Sequence, residues 1–143
     1  MADPVGVTAS LIAIASLATK ITHQLDHMTQ SYYDAPAVFE AFCCNFNSAR
    51  NILIVVSKTL HDLEVNESIQ GLDFQEQLQD AVSGIDRTLT NVYSCLSSVR
   101  RLEKGNQWLF WDKVKVVWDE KQLDKWDEIL DRQVNKLSGL LNA

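Results

Sequence analysis

Between Gln75 and Val99 the chain reads QEQLQDAVSGIDRTLTNVYSCLSSV. Its apolar positions Leu78, Val82, Ile85, Leu89, Val92, Leu96 and Val99 alternate at spacings of four and three. That period puts all seven on one stripe of an α-helix, which buries such a stripe against other helices. The same rhythm occurs upstream in Val7, Leu11, Ile14, Ala18, Ile21, Leu25 and Met28, and again in Phe39, Phe42, Phe46, Ala49, Leu53, Val56, Leu60 and Leu63. A further stripe runs Leu123, Trp126, Leu130, Val134, Leu137 and Leu141. Short connections between such stripes favour one bundle over separate coiled coils. The pattern predicts an all-α fold: an antiparallel four-helix bundle with an extra short Trp-rich helix before the last long one. Helices are expected near 4–28, 35–64, 73–104, 107–117 and 120–141.

The punctuation agrees with this reading. Asp3 can cap a first helix that opens on Pro4. Thr29 to Tyr33 breaks the pattern, and Asp34 before Ala35-Pro36 restarts it. Asn66 to Gly71 is a polar turn, and Asp73-x-x-Glu76 has the spacing of a capping box. Lys104-Gly105 reads as a helix end, with Asn106 as the next cap. Asp119-x-x-Gln122 is placed to cap the last helix.

The length, 143 residues, fits one domain over 1–143. Thirteen Lys and Arg against nineteen Asp and Glu give a net charge of −6, so nucleic acid is not an expected partner. Cys43, Cys44 and Cys95 form no CxxC, and a reduced cytosolic setting is expected, with all three as small buried apolar groups. The start Met1-Ala2-Asp3-Pro4 has no basic region of a secretory signal. Charge is uneven along the chain. From Asp62 to Asp86 there are acids and no Lys or Arg, while Arg100, Arg101, Lys104, Lys113 and Lys115 cluster later. An up-down bundle would place these at opposite ends, as plain solvated surface, for head-to-tail stacking, or for lipid headgroups at the basic end.

Catalytic patterns are missing. No two of the five glycines lie closer than 13 positions, so no phosphate-cradling loop can be built from them. His23 and His27 stand four apart but lack a third metal ligand. Cys43 and Cys44 have no base placed beside them by the sequence. Asp127-Glu128 reads as helix-surface charge. Neither an enzyme nor a cofactor is expected.

Pro4 to Thr19, PVGVTASLIAIASLAT, carries no charge over sixteen positions. A helix apolar or small all round is either central in a bundle or destined for lipid. A span of the ~30 Å hydrocarbon core takes about 20 residues, so the run falls just short. Trp108, Trp111 and Trp118 share one helical face near Lys113 and Lys115. This is the composition of a membrane interface or of a bundle lid.

The opening Asp3-Pro4-Val5-Gly6-Val7-Thr8-Ala9-Ser10-Leu11-Ile12-Ala13-Ile14-Ala15 resembles the start of the HeLo-like N-terminal domains of fungal NOD-like receptors and related cell-death proteins. Trp108, Trp111, Lys113 and Val114, followed by the Leu123 to Leu141 helix, resemble that family's Trp-containing short helix and closing helix. The likeness covers essentially the whole chain. It implies the N-terminal module of a larger protein that executes regulated cell death in fungal immunity or incompatibility. Such a domain is cytoplasmic and moves to the plasma membrane on activation. Its implied partners are further copies of itself, membrane lipids, and an attached or separate nucleotide-binding sensor. The resemblance assigns membrane insertion to Val5, Gly6, Val7, Leu11, Ile12, Ile14 and Leu17. Arg100, Arg101, Lys104, Trp108, Trp111, Lys113 and Lys115 are the candidates for contact with headgroups. The broad family also includes helical signalling or oligomerisation modules that bind protein and never enter lipid.

Overall fold

The computed structural model describes residues 4–32, 34–65, 72–101 and 110–142. Among these described residues there are five α-helices: α1 (Pro4–Ser31), α2 (Ala37–Val65), α3 (Leu72–Arg100), α4 (Phe110–Val117) and α5 (Glu120–Asn142). No strand occurs among the described residues. The fold is all-α.

The 4-3 stripes become the core. Every described stripe side chain of α1, α2 and α3 is buried, from Val7 to Met28, Phe39 to Leu60 and Leu78 to Val99. On α5 the stripe is buried from Leu123 to Leu137, and Leu141 is half-buried at the helix end. Full burial of one such Leu or Phe side chain is worth about 1.5–3 kcal/mol, so the stripes are the main source of stability. They form one continuous cluster. α1 and α5 each pack against both α2 and α3. α2 and α5 run in the same direction. Asn45 meets Asp127 near their starts, and Ile52 and Val55 line a groove with Ser138 and Leu141 further along. Between α3 and α5, Thr88 Oγ1 donates to Gln133 Oε1 at 2.8 Å in a partly buried contact.

The helix ends correct the expected boundaries. α1 runs on through Ser31, past the expected stop at residue 28. Thr29 Oγ1 donates to the Asp26 carbonyl at 2.9 Å, and the Tyr32 amide donates to Met28 O at 3.2 Å. Polar residues suffice there because only Met28 and Tyr32 face the core. Asp34 then takes a φ of 63°, a left-handed conformation that Asp tolerates better than most residues. The Pro36 carbonyl accepts the Glu40 amide at 3.0 Å, which opens α2. α3 begins at Leu72, one residue before the expected cap Asp73, whose side chain lies outside the described residues. The cap of α5 is as expected, with the Gln122 amide donating to Asp119 Oδ1 at 2.8 Å. Asp3, the 66–71 turn, Gly105 and Asn106 lie outside the described residues.

The expectation of three buried cysteines is not met. Cys44 is exposed, and Cys43 and Cys95 are half-buried. Phe42 and Phe46 hold the inward stripe of α2, and Cys43 and Cys44 follow Phe42 around the helix at ~100° per residue, away from it.

Candidate functional site

α1 is not enclosed by the other helices. Its stripe Val7, Leu11, Ile14 and Ala18 faces the core, while Gly6, Ala9, Ile12, Ala13 and Ser16 face solvent. Ile12 is 53% exposed, a large apolar side chain in the middle of an uncharged strip. Leu17 is half-buried between the two faces, and the Val5 side chain lies outside the described residues. The segment expected to insert is thus divided. Gly6 and Ile12 are already at the surface, whereas Val7, Leu11 and Ile14 are held inside. One buried polar group weakens this hold. The Thr8 hydroxyl is 5% exposed as a residue and has no hydrogen-bond partner among the described residues. An unsatisfied buried hydroxyl costs about 1–3 kcal/mol.

The second expected group gathers on α4, but not as an open interface. Phe110, Trp111 and Val114 of α4 are buried, and Trp118 beyond it is 2% exposed. Trp111 therefore faces protein, where it meets Phe39 edge-on with ring centres 4.8 Å apart. The indole Nε1 of Trp111 donates to the Tyr32 carbonyl at 3.3 Å, and the Tyr32 ring stacks on Phe110 at 3.8 Å. Trp118 packs edge-on to Trp126 at 5.1 Å. Such edge-on and offset pairs add about 0.5–1.5 kcal/mol beyond area burial. Lys115 and Arg101 are exposed and Lys113 is half-buried. Lys104, Trp108 and the Arg100 side chain lie outside the described residues. The outer face of α4 carries Val116 and Val117, so Val117 does not join Phe110 and Val114 in the core as a bundle-lid stripe would have it.

The two groups are not brought together. α4 sits at the C-terminal end of α1, against Tyr32. Leu17 is fifteen positions away, about 22 Å along the helix axis at 1.5 Å per residue.

A groove of about 440 Å³ between α2 and α5 also escaped the sequence reading. Asn45, Ala49 and Ile52 form one wall, and Asp124, Asp127, Glu128 and Asp131 stand along the other. Burial raises the carboxyl of Asp127 above the ordinary range, and Asp124 and Asp131 push the same way. A hydrogen bond from Asn45 opposes them. Burial, with the acids Asp26, Glu40 and Asp127 nearby, pushes the Cys43 thiol up to about 12. His23 and His27 are both exposed. Among the described residues no group of three or more His, Cys, Asp or Glu is placed to hold a metal, and no helix is long and apolar enough to cross a membrane.

No protein-family model matches the chain, and no match was found among the curated proteins or the solved structures.

Proposed function

We propose that this chain is an antiparallel four-helix bundle of the HeLo-like type that executes regulated cell death by assembling with further copies at the plasma membrane and permeabilising it through α1. One observation carries the reading. The first half of α1 is uncharged and turns a solvent-facing strip, Gly6, Ala9, Ile12, Ala13 and Ser16, out of an otherwise conventional bundle. A surface helix of a soluble bundle ordinarily places charge there. Small residues on that strip let helix backbones approach closely in lipid. Sixteen uncharged positions fall short of the about 20 needed for a lone span, so several copies of α1 act together. The Thr8 hydroxyl, buried with no hydrogen-bond partner among the described residues, favours departure of α1 from the core. A nucleotide-binding sensor, attached or separate, is the proposed source of the signal to assemble, and the resting domain is cytoplasmic.

A second reading is a helical signalling or oligomerisation module that binds protein partners and stays out of lipid. The burial of Val7, Leu11 and Ile14 favours it, because this face of α1 is already engaged in the core.

Dye release from phosphatidylcholine–phosphatidylserine vesicles separates the two. Ile12→Glu alters only the outward strip, so the bundle folds as before. The membrane reading expects wild type to release dye and folded Ile12→Glu to lose that release. Equal release by both proteins overturns insertion through the outward strip of α1, and no release by assembled wild type points to the second reading.

A further inference from the structure

The turn between α1 and α2 is held from both sides by one short helix. On the α1 side, Tyr32, the residue after the helix, offers its carbonyl to the Trp111 indole at 3.3 Å, and its ring lies flat on Phe110 at 3.8 Å with an interplanar angle of 6°. On the α2 side, Phe39 packs edge-on against the same Trp111 at 4.8 Å. Between Tyr32 and Phe39 the backbone passes through Asp34 at φ 63°. The residues at this turn are the natural pivot for any movement of α1 relative to α2, because a few φ/ψ changes there swing a rigid helix. The described part of α4 is eight residues long, below the about 12–15 at which an isolated helix holds in water. Its position therefore depends on the contacts made by Phe110, Trp111 and Val114. The indole donor of α4 thus reaches the carbonyl of the residue that follows α1.

We propose that α4 is the latch of the α1 pivot: Phe110 and Trp111 fix the turn at Tyr32, and α1 swings from the bundle only after α4 releases it. This inference rests on the reading of α1 as the mobile arm. It assigns Trp111 a resting role inside the protein rather than one at a lipid surface. It also explains why the aromatic segment lies at the far end of α1 from Ile12. The latch restrains the pivot, and the outward strip acts after release.

Hydrogen–deuterium exchange in solution, without lipid, tests the latch apart from the membrane reading. Trp111→Phe removes the indole donor while keeping an aromatic ring in the same space. Phe110→Leu removes the stack on Tyr32 and keeps an apolar side chain. Both are expected to raise exchange in residues 4–31 about tenfold or more, the scale of one lost buried hydrogen bond, with α2, α3 and α5 changed far less. Exchange in 4–31 that stays at the wild-type rate overturns the latch. So does exchange that rises equally in all helices, because that marks general loosening of the core. Should a variant fail to fold, the same comparison is made on wild type by the temperature dependence of exchange. The latch then requires 4–31 and 110–117 to open together below the melt, and opening of 4–31 with 110–117 still protected overturns it. Vesicle leakage is read separately: a freed α1 that leaves vesicles intact upholds the latch and defeats the membrane reading.

Discussion

Asn45 and Asp127, 82 positions apart, are joined by a 3.1 Å hydrogen bond from the amide Nδ2 to the carboxylate Oδ2. The pair fixes the register of α2 against α5, two helices that are not consecutive in the chain. It also places a carboxylate where burial and two neighbouring acids disfavour its charge. A carboxyl whose folded pKa is raised above its unfolded value binds protons more tightly in the folded state. Its contribution to stability is therefore greatest at low pH and declines as pH rises through the unfolded and then the folded pKa. Asp127→Asn is expected to stabilise the domain at pH 7, by no more than about 0.5 kcal/mol because the group remains partly in water. The advantage should shrink as pH falls toward 3. Thermal melts of both proteins between pH 3 and 7 check this, and a gain that grows on acidification contradicts it.

Leu89 is fully buried at the centre of the α3 stripe. Leu89→Ala removes three carbons and leaves a cavity, which costs about 2–5 kcal/mol. Urea unfolding reads the loss directly. A cost under about 1 kcal/mol would mean that Leu89 is not enclosed as described.

Thr8→Val exchanges a buried hydroxyl without a partner among the described residues for a methyl group of similar shape. The expected result is a gain of about 1 kcal/mol in unfolding free energy, with slower exchange of the α1 amides. If the account of α1 is right, the same variant releases dye more slowly than wild type. Destabilisation by Thr8→Val would show that the hydroxyl has a bond that it needs.

The cysteines divide by environment. Cys44 is exposed, whereas burial foremost, and then neighbouring acids, hold the Cys43 thiol up to about 12. The thiolate is the reactive form. Iodoacetamide at pH 8 should modify Cys44 more than about tenfold faster than Cys43 in the folded protein, with the gap closing in urea. Peptide mass spectrometry resolves the two adjacent sites. Equal native rates would place Cys43 in open solvent.

The helices were legible because burial repeats with the helical period. From Leu78 to Val99 every position assigned to the stripe is buried. The Asp119 cap was legible for a local reason, since its carboxylate reaches an amide only three residues on. What the sequence did not disclose depends on which helices become neighbours. Nothing in the spacing of Asp124, Asp127 and Asp131 says that α2 lies alongside, so they read as solvated charge rather than as one wall of a groove. Likewise Trp111 beside Lys113 fits a lid as well as a lipid interface. Only the position of Tyr32, 79 residues earlier, decides that its indole points inward. α1 was legible only in part. Its missing charges allowed either a central helix or a membrane helix, and the exposure of Ile12 speaks only against a fully enclosed central position.

The central claim is that α1 leaves its protein neighbours at a membrane. The most direct measurement is hydrogen–deuterium exchange of residues 4–31 in the assembled protein, with and without anionic vesicles. The account predicts that vesicles change the α1 pattern, exposing amides over Val7, Leu11 and Ile14 or protecting them anew in lipid, while α2, α3 and α5 keep theirs. Leaking vesicles beside an α1 that exchanges just as it does in solution would contradict the account.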